Sequence, residues 1–105
     1  MKNIYIAGKV TGERIEACQI KFSTQEKALI NLGYNAINPL RVVKDSATIW
    51  TDAMRLCIRE LMTADALLAL PCSEHSKGAQ LEIKLCNKVG IPVYDCINAL
   101  NKHVK

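Results

Sequence analysis

A chain of 105 residues, half of them hydrophobic, suffices for one small domain and is too apolar for a disordered segment. Its formal charge of +4 is spread along the sequence, which excludes a nucleic-acid-binding tail and leaves a mild attraction for small anions. No apolar stretch approaches the roughly 20 residues of a membrane helix, and no signal-peptide pattern precedes the first strand-like run.

In chain order, Asn3 to Ala7 reads NIYIA, a β-branched and aromatic strand stopped by Gly8. After a loop from Lys9 to Gly12, apolar residues at Ile15, Cys18, Phe22, Leu29 and Leu32 keep helical spacing, with Gln25 as the one miss. This predicts a helix over 13–32, with Gly33 as its stop. Tyr34 to Ile37 is a second strand, ended by Asn38-Pro39, and a loop runs to about Ala47. Trp50, Met54, Cys57 and Leu61 recur at three and four residues and define a second helix. Ala66 to Leu70, ALLAL, is the continuous apolar run of a strand buried on both faces. Ser76 caps a third helix that Gly90 ends. Ile91 to Cys96 is a fourth strand, with a short C-terminal helix beyond it.

The order βαβαβαβ, with connections long enough for helical crossovers, predicts an α/β domain: a parallel sheet of four or five strands wrapped by helices on both sides, over residues 1–105. Ligands of such sheets bind beyond the carboxyl ends of the strands, near the topological switch point. The loops to watch are therefore Gly8 to Gly12, the segment after Asn38, Pro71 to Gly78, and the residues after Tyr94, where Asp95 is a candidate ligand contact. Asp65, entering the third strand at its amino end, reads as structural.

The five cysteines (Cys18, Cys57, Cys72, Cys86, Cys96) are odd in number and form no CxxC pair, which suits reduced thiols in a cytoplasmic protein better than disulfides. Neither His75 nor His103 has a second ligand at zinc-site spacing, so no metal site is expected, and no cofactor motif stands out. A domain this small has a narrow stability margin, which makes a homo-oligomer unsurprising.

One carboxylate stands out. On the third helix Gly78, Glu82, Leu85 and Val89 share a face, with Leu81 and Cys86 alongside, so Glu82 points to the apolar side. The third residue after Ser76 is Ala79, so Glu82 closes no capping box. It lies beyond the first turn, where the helix dipole has faded. The positions three and four residues away hold Gly78, Ala79, Leu85 and Cys86, none of them cationic. A partly desolvated carboxylate beside a strand-end loop suits nucleophilic or general-base chemistry. The alternative is a glutamate at the edge of the face that reaches water.

The opening YIAGKVTG, then Asn38-Pro39, Trp50 with Met54-Arg55, Ala64-Asp65 and the segment Ser76-Lys77-Gly78-Ala79-Gln80-Leu81-Glu82 resemble, in order and spacing, the nucleoside 2-deoxyribosyltransferase-like superfamily. The small uncharacterised DUF4406 branch is the nearest match, over nearly the whole chain. The resemblance implies a flavodoxin- or Rossmann-like three-layer fold, a small-molecule nucleoside or nucleotide ligand rather than a nucleic-acid polymer or a membrane, and assembly into oligomers. It also assigns Glu82 as the nucleophile that attacks the anomeric carbon of a deoxyribosyl group, giving a covalent ester that a second base or water resolves, the two-step logic of retaining glycosidases. Tyr5 matches an active-site tyrosine of the related deoxynucleoside-monophosphate hydrolases. Gly8, Gly12 and Gly78 would let backbone approach the ligand, or serve turn geometry alone. Ser76 stands where those hydrolases contact a 5′-phosphate, and it equally suits a helix cap.

One departure bears on activity. The catalytic branches carry an aspartate eight residues before the aspartate of the AD pair, and counting back from Asp65 gives Cys57. Glu60, one turn further on, is the nearby carboxylate that could replace it, or a surface glutamate. The resemblance thus implies either an enzyme acting on an N-glycosidic bond or a catalytically inactive nucleotide-binding module of the same fold.

Overall fold

A computed structural model describes residues 1–104 of the chain. The elements in order are β1 (Asn3–Ala7), α1 (Ile15–Asn31), β2 (Asn35–Ile37), α2 (Pro39–Val42), α3 (Trp50–Leu61), β3 (Ala66–Ala69), a 3-10 turn (Pro71–His75), α4 (Lys77–Val89), β4 (Val93–Tyr94) and α5 (Ile97–Val104). The sheet has four parallel strands in the order β2-β1-β3-β4. This is the three-layer α/β architecture that the alternation of elements predicts, with four strands.

Period-2 alternation along the central strands builds two separate cores. Ile4 and Ile6 of β1 and Ala66 and Leu68 of β3 face one way, onto Cys18, Phe22 and Leu29 of α1 and Leu100 of α5. Tyr5 and Ala7, with Leu67 and Ala69, face the other way, onto Cys57 and Leu61 of α3 and Ala79 and Cys86 of α4. The register Ile4 to Ala66 and Tyr5 to Leu67 keeps the two sets in line across the sheet. Fully buried side chains such as Phe22, Leu29 and Leu68 each contribute about 1.5–3 kcal/mol.

From β1 the chain moves outward to β2, then returns to the other side of β1 for β3. The topological switch point therefore lies between β1 and β3, and the segments beyond their carboxyl ends, 8–12 and 70–76, meet there.

Local chemistry sets the element ends. The Ser76 side chain accepts a hydrogen bond from the Ala79 amide at 3.1 Å and caps α4, whose far end closes on Gly90 in the left-handed conformation (φ +82°). Asn38 and Pro39, read as a strand end, also start a one-turn helix inside the expected loop. Asn38 caps it through the Leu40 amide at 3.0 Å, and Pro39 takes the first helical position, where no N–H is needed.

The last strand is shorter than the run Ile91 to Cys96 suggests. Pro92 has no amide to give, the Ile91 amide bonds back to the Cys86 carbonyl, and Cys96 Sγ accepts from the Ala99 amide at the start of α5. Val93 and Tyr94 remain in register with β3, and the Pro92 carbonyl accepts from the Leu67 amide at 2.9 Å.

On α1 the inward polar residue is Glu26 rather than Gln25, and the terminal Ile15 and Leu32 are exposed. Glu26 accepts two hydrogen bonds from the Arg41 guanidinium, at 2.7 and 2.9 Å, which ties α2 to α1. Those bonds hold the Glu26 carboxyl below its ordinary pKa against the opposing effect of burial. Asp65 accepts from the Asn3 amide at 2.7 Å and pins the start of β3 to β1, a structural use.

Candidate active site

Tyr5 lies mid-strand on the α3/α4 side of the sheet with its ring 1% exposed. A phenol buried there needs a partner, and it donates to Glu82 Oε2 at 2.6 Å. Glu82, 5% exposed, belongs to the inward stripe Gly78, Ala79, Glu82, Cys86 of α4. The predicted inward set included Val89, which is 55% exposed, and Leu81, which is also exposed. The face is rotated because close approach of α4 to the sheet favours the small Ala79 and Cys86 over the larger apolar residues.

Burial pushes the Glu82 carboxyl up to about 7, although the Tyr5 hydrogen bond pulls the other way. Burial and then the neighbouring Glu82 charge raise the Tyr5 hydroxyl far above its ordinary range, so Tyr5 remains a donor. The Cys57 thiol is likewise raised by burial, partly offset by Tyr5, and the Cys86 thiol is pushed up to about 11 by burial and by Glu82. Of these four neighbours, Glu82 alone changes charge near neutral pH.

Above this pair opens a cleft of about 930 Å³ at the switch point, large enough for a nucleotide-sized ligand. Its walls come from the loop after β1, from α2 and the segment after it, from the first turns of α3, and from residues 75–79. Tyr5, Gly8, Ser76, Gly78 and Glu82 all line it. Gly12 and Asp95 do not. Gly12 takes a left-handed turn conformation (φ +83°), which glycine adopts without steric cost, and has open space around it. Asp95 is exposed in the bend after β4, at the edge of the sheet and away from the switch point.

The smallness of Gly8 and Gly78 has a packing cause. A Cβ on Gly8 would stand 3.1 Å from both Leu70 Cδ1 and Phe22 Cζ, and one on Gly78 would stand 3.0 Å from Met54 Sδ. Cys57 reaches the cleft floor beside Tyr5 and Glu82, whereas Glu60 lies outside the cleft and is 3.7 Å from Arg59.

Sequence reasoning passed over the basic side chains at the cleft. Lys9, Lys44, His75 and Lys77 all line the cleft, together with the acidic Glu13 and Asp45. Their position in switch-point loops was the available signal. The first loop is held firmly: Lys21 Nζ donates to the Lys9 carbonyl at 2.8 Å and to Glu13 at 3.2 Å, and the Lys9 amide donates to Cys72 Sγ. Among the described residues, no group of three or more His, Cys, Asp or Glu could hold a metal ion, and no helix is long and apolar enough to cross a membrane.

A buried carboxylate that ionises near neutrality, held by one phenol at the base of a cleft, equips the site for attack on an electrophilic carbon or for proton transfer. The fold is that of a 2-deoxyribosyltransferase: the enzyme from Bacillus psychrosaccharolyticus superposes with a TM-score of 0.66 at 18% identity, over 87% of this chain and 69% of that one. The chain belongs to the DUF4406 family, a domain of unknown function whose model matches residues 2–95. Comparison with the curated proteins gives no match.

Proposed function

We propose that this protein cleaves or transfers the N-glycosidic bond of a 2′-deoxynucleoside or its 5′-monophosphate. The observation that carries the reading is the buried Tyr5–Glu82 hydrogen bond of 2.6 Å on the floor of the switch-point cleft. Ionised Glu82 attacks the anomeric carbon, the bond to the base breaks, and the base leaves with the electron pair and takes a proton from solvent. A glycosyl ester on Glu82 results, which water or a second base then attacks, restoring the carboxylate. Tyr5 holds Glu82 in one rotamer and keeps a proton at Oε2, so the other oxygen faces the substrate. The cleft walls hold the sugar and base, and Lys9, Lys44 and Lys77 among them are the groups that can pair with a phosphate, Glu13 being engaged by Lys21. The capping hydroxyl of Ser76 keeps a proton to donate to a phosphate.

A second reading is favoured by Cys57. A thiol held neutral by burial supplies no second carboxylate at the floor, so the domain could retain the cleft as a nucleotide-binding module without turnover. The five reduced cysteines suit a cytoplasmic setting, and a homo-oligomer suits so small a domain.

Release of free base from deoxynucleoside monophosphates tests the enzyme reading. Base release that is abolished by Glu82→Ala supports it. Release that survives the substitution removes Glu82 from the mechanism, and nucleotide binding without release favours the module.

A further inference from the structure

The chain has five Phe, Tyr and Trp rings (one Phe, three Tyr and one Trp), besides two smaller imidazoles, of which His75 is at the cleft and His103 is not. Phe22, Tyr5 and Tyr34 are buried, so none offers a ring face to a ligand. Tyr94 is on the edge strand β4, stacked on His103 with centroids 5.9 Å apart, and lies outside the cleft. Trp50 differs from all four. It lines the cleft while remaining 39% exposed, and it belongs to neither core.

The fold brings this ring close to the chemistry. Because Gly78 has no side chain, Trp50 Nε1 lies 3.7 Å from where a Cβ on Gly78 would stand. Gly78 is one helical turn before Glu82 on the same inward stripe of α4, a rise of about 6 Å. A planar group joined directly to a carbon held at Glu82 can therefore reach the indole.

From this geometry we infer that Trp50 is the stacking surface for the base of the ligand and so a binding determinant of the site. The inference rests on the nucleoside reading given above. The Lys77 ammonium, 5.2 Å from the ring centroid, is an exposed cation that the base displaces or shares. Stacking a base on an aromatic side chain strengthens binding about 5- to 150-fold, against about 2- to 5-fold for an exposed cation–π contact. The base wins the ring.

Trp50 is the sole tryptophan in the chain, so its emission reports on this position alone. The full chain is titrated with 2′-deoxyadenosine 5′-monophosphate and, as a base-free control, 2-deoxyribose 5-phosphate, with calorimetry run in parallel. The expected result is saturable quenching by the nucleotide and none by the sugar phosphate. Trp50→Ala weakens nucleotide binding about 10-fold or more, and Trp50→Phe stays within a few-fold of wild type, both variants keeping the wild-type circular dichroism.

Nucleotide binding with unmoved emission overturns the inference, as do unchanged affinity in Trp50→Ala, equal quenching by the sugar phosphate, or no binding of the nucleotide. Base release, measured separately, keeps the two claims apart. Quenching without release breaks the enzyme reading and leaves the stacking surface standing. Release without quenching does the reverse.

Discussion

The two faces of the sheet are built from different materials. On the α1/α5 face, Ile4, Ile6, Phe22, Leu29, Leu68 and Leu100 form a dry core of large side chains. On the α3/α4 face, Ala7, Ala69, Ala79, Cys57 and Cys86 are small, and the space they leave holds the buried Tyr5–Glu82 pair. The difference teaches that one face carries stability and the other gives up some of it to hold a desolvated carboxylate at the foot of a cleft.

The largest expected effect breaks the functional face. Glu82→Ala lowers base release by more than about 10³-fold, measured as kcat/KM on a deoxynucleoside monophosphate, with the fold retained by circular dichroism. The opposite face responds in stability instead. Phe22→Ala costs about 3–5 kcal/mol in denaturant unfolding, and a loss below about 1 kcal/mol would show that the dry core is not where the fold is held.

Glu82 also makes stability depend on pH. Its carboxyl rises from 4.5 in the unfolded chain to about 7 in the folded protein, so the folded state binds the extra proton between those values. Stability contributed by the protonated form is full below the lower value and is lost as pH rises through the upper one, amounting to about 3 kcal/mol. Glu82→Gln therefore stabilises the protein at pH above about 8 by up to that amount and changes little near pH 4, as urea titrations at the two pH values would read. Equal effects at both would mean that burial is not what shifts the group.

The smallest effect sharpens the boundary of the cleft. Gly78→Ala places a methyl group 3.0 Å from Met54 Sδ. Met54 is flexible enough to yield, and the gain in helix propensity offsets the crowding, so stability stays within about 1 kcal/mol. Affinity for a nucleotide falls, because Met54, which also lines the cleft, is the side chain that must shift, as calorimetry would measure.

What the sequence discloses is governed by distance along the chain. β1, the caps Ser76 and Gly90, and the apolar β3 are written in adjacent residues and were legible as such. The α4 face was misphased because hydrophobicity counts a Val89 above an Ala79, whereas packing onto a sheet prefers the smaller side chain. β4 is shorter than its apolar run because Pro92, visible in the sequence, has no amide to give, and because the Ile91 amide turns back to Cys86 and Cys96 serves the next helix, contacts no run of letters shows. Glu26 finds Arg41 only once α2 has folded back onto α1. Spacing marked Glu82 as a carboxylate without a local partner, and that was correct: its partner is 77 positions away. No periodicity could name Tyr5 as that partner; it entered through family resemblance. Asp95 is near a strand end, but that strand is at the edge of the sheet rather than at the switch point.

The central claim is that Glu82, buried and held by Tyr5, performs the chemistry as an anion. The pH dependence of base release from a deoxynucleoside monophosphate tests it most directly. The account predicts kcat/KM rising with pH to a plateau, with a midpoint at about 7, and no such rise in Glu82→Ala. A rate already at its plateau near pH 5, or a profile that Glu82→Ala leaves intact, would contradict it.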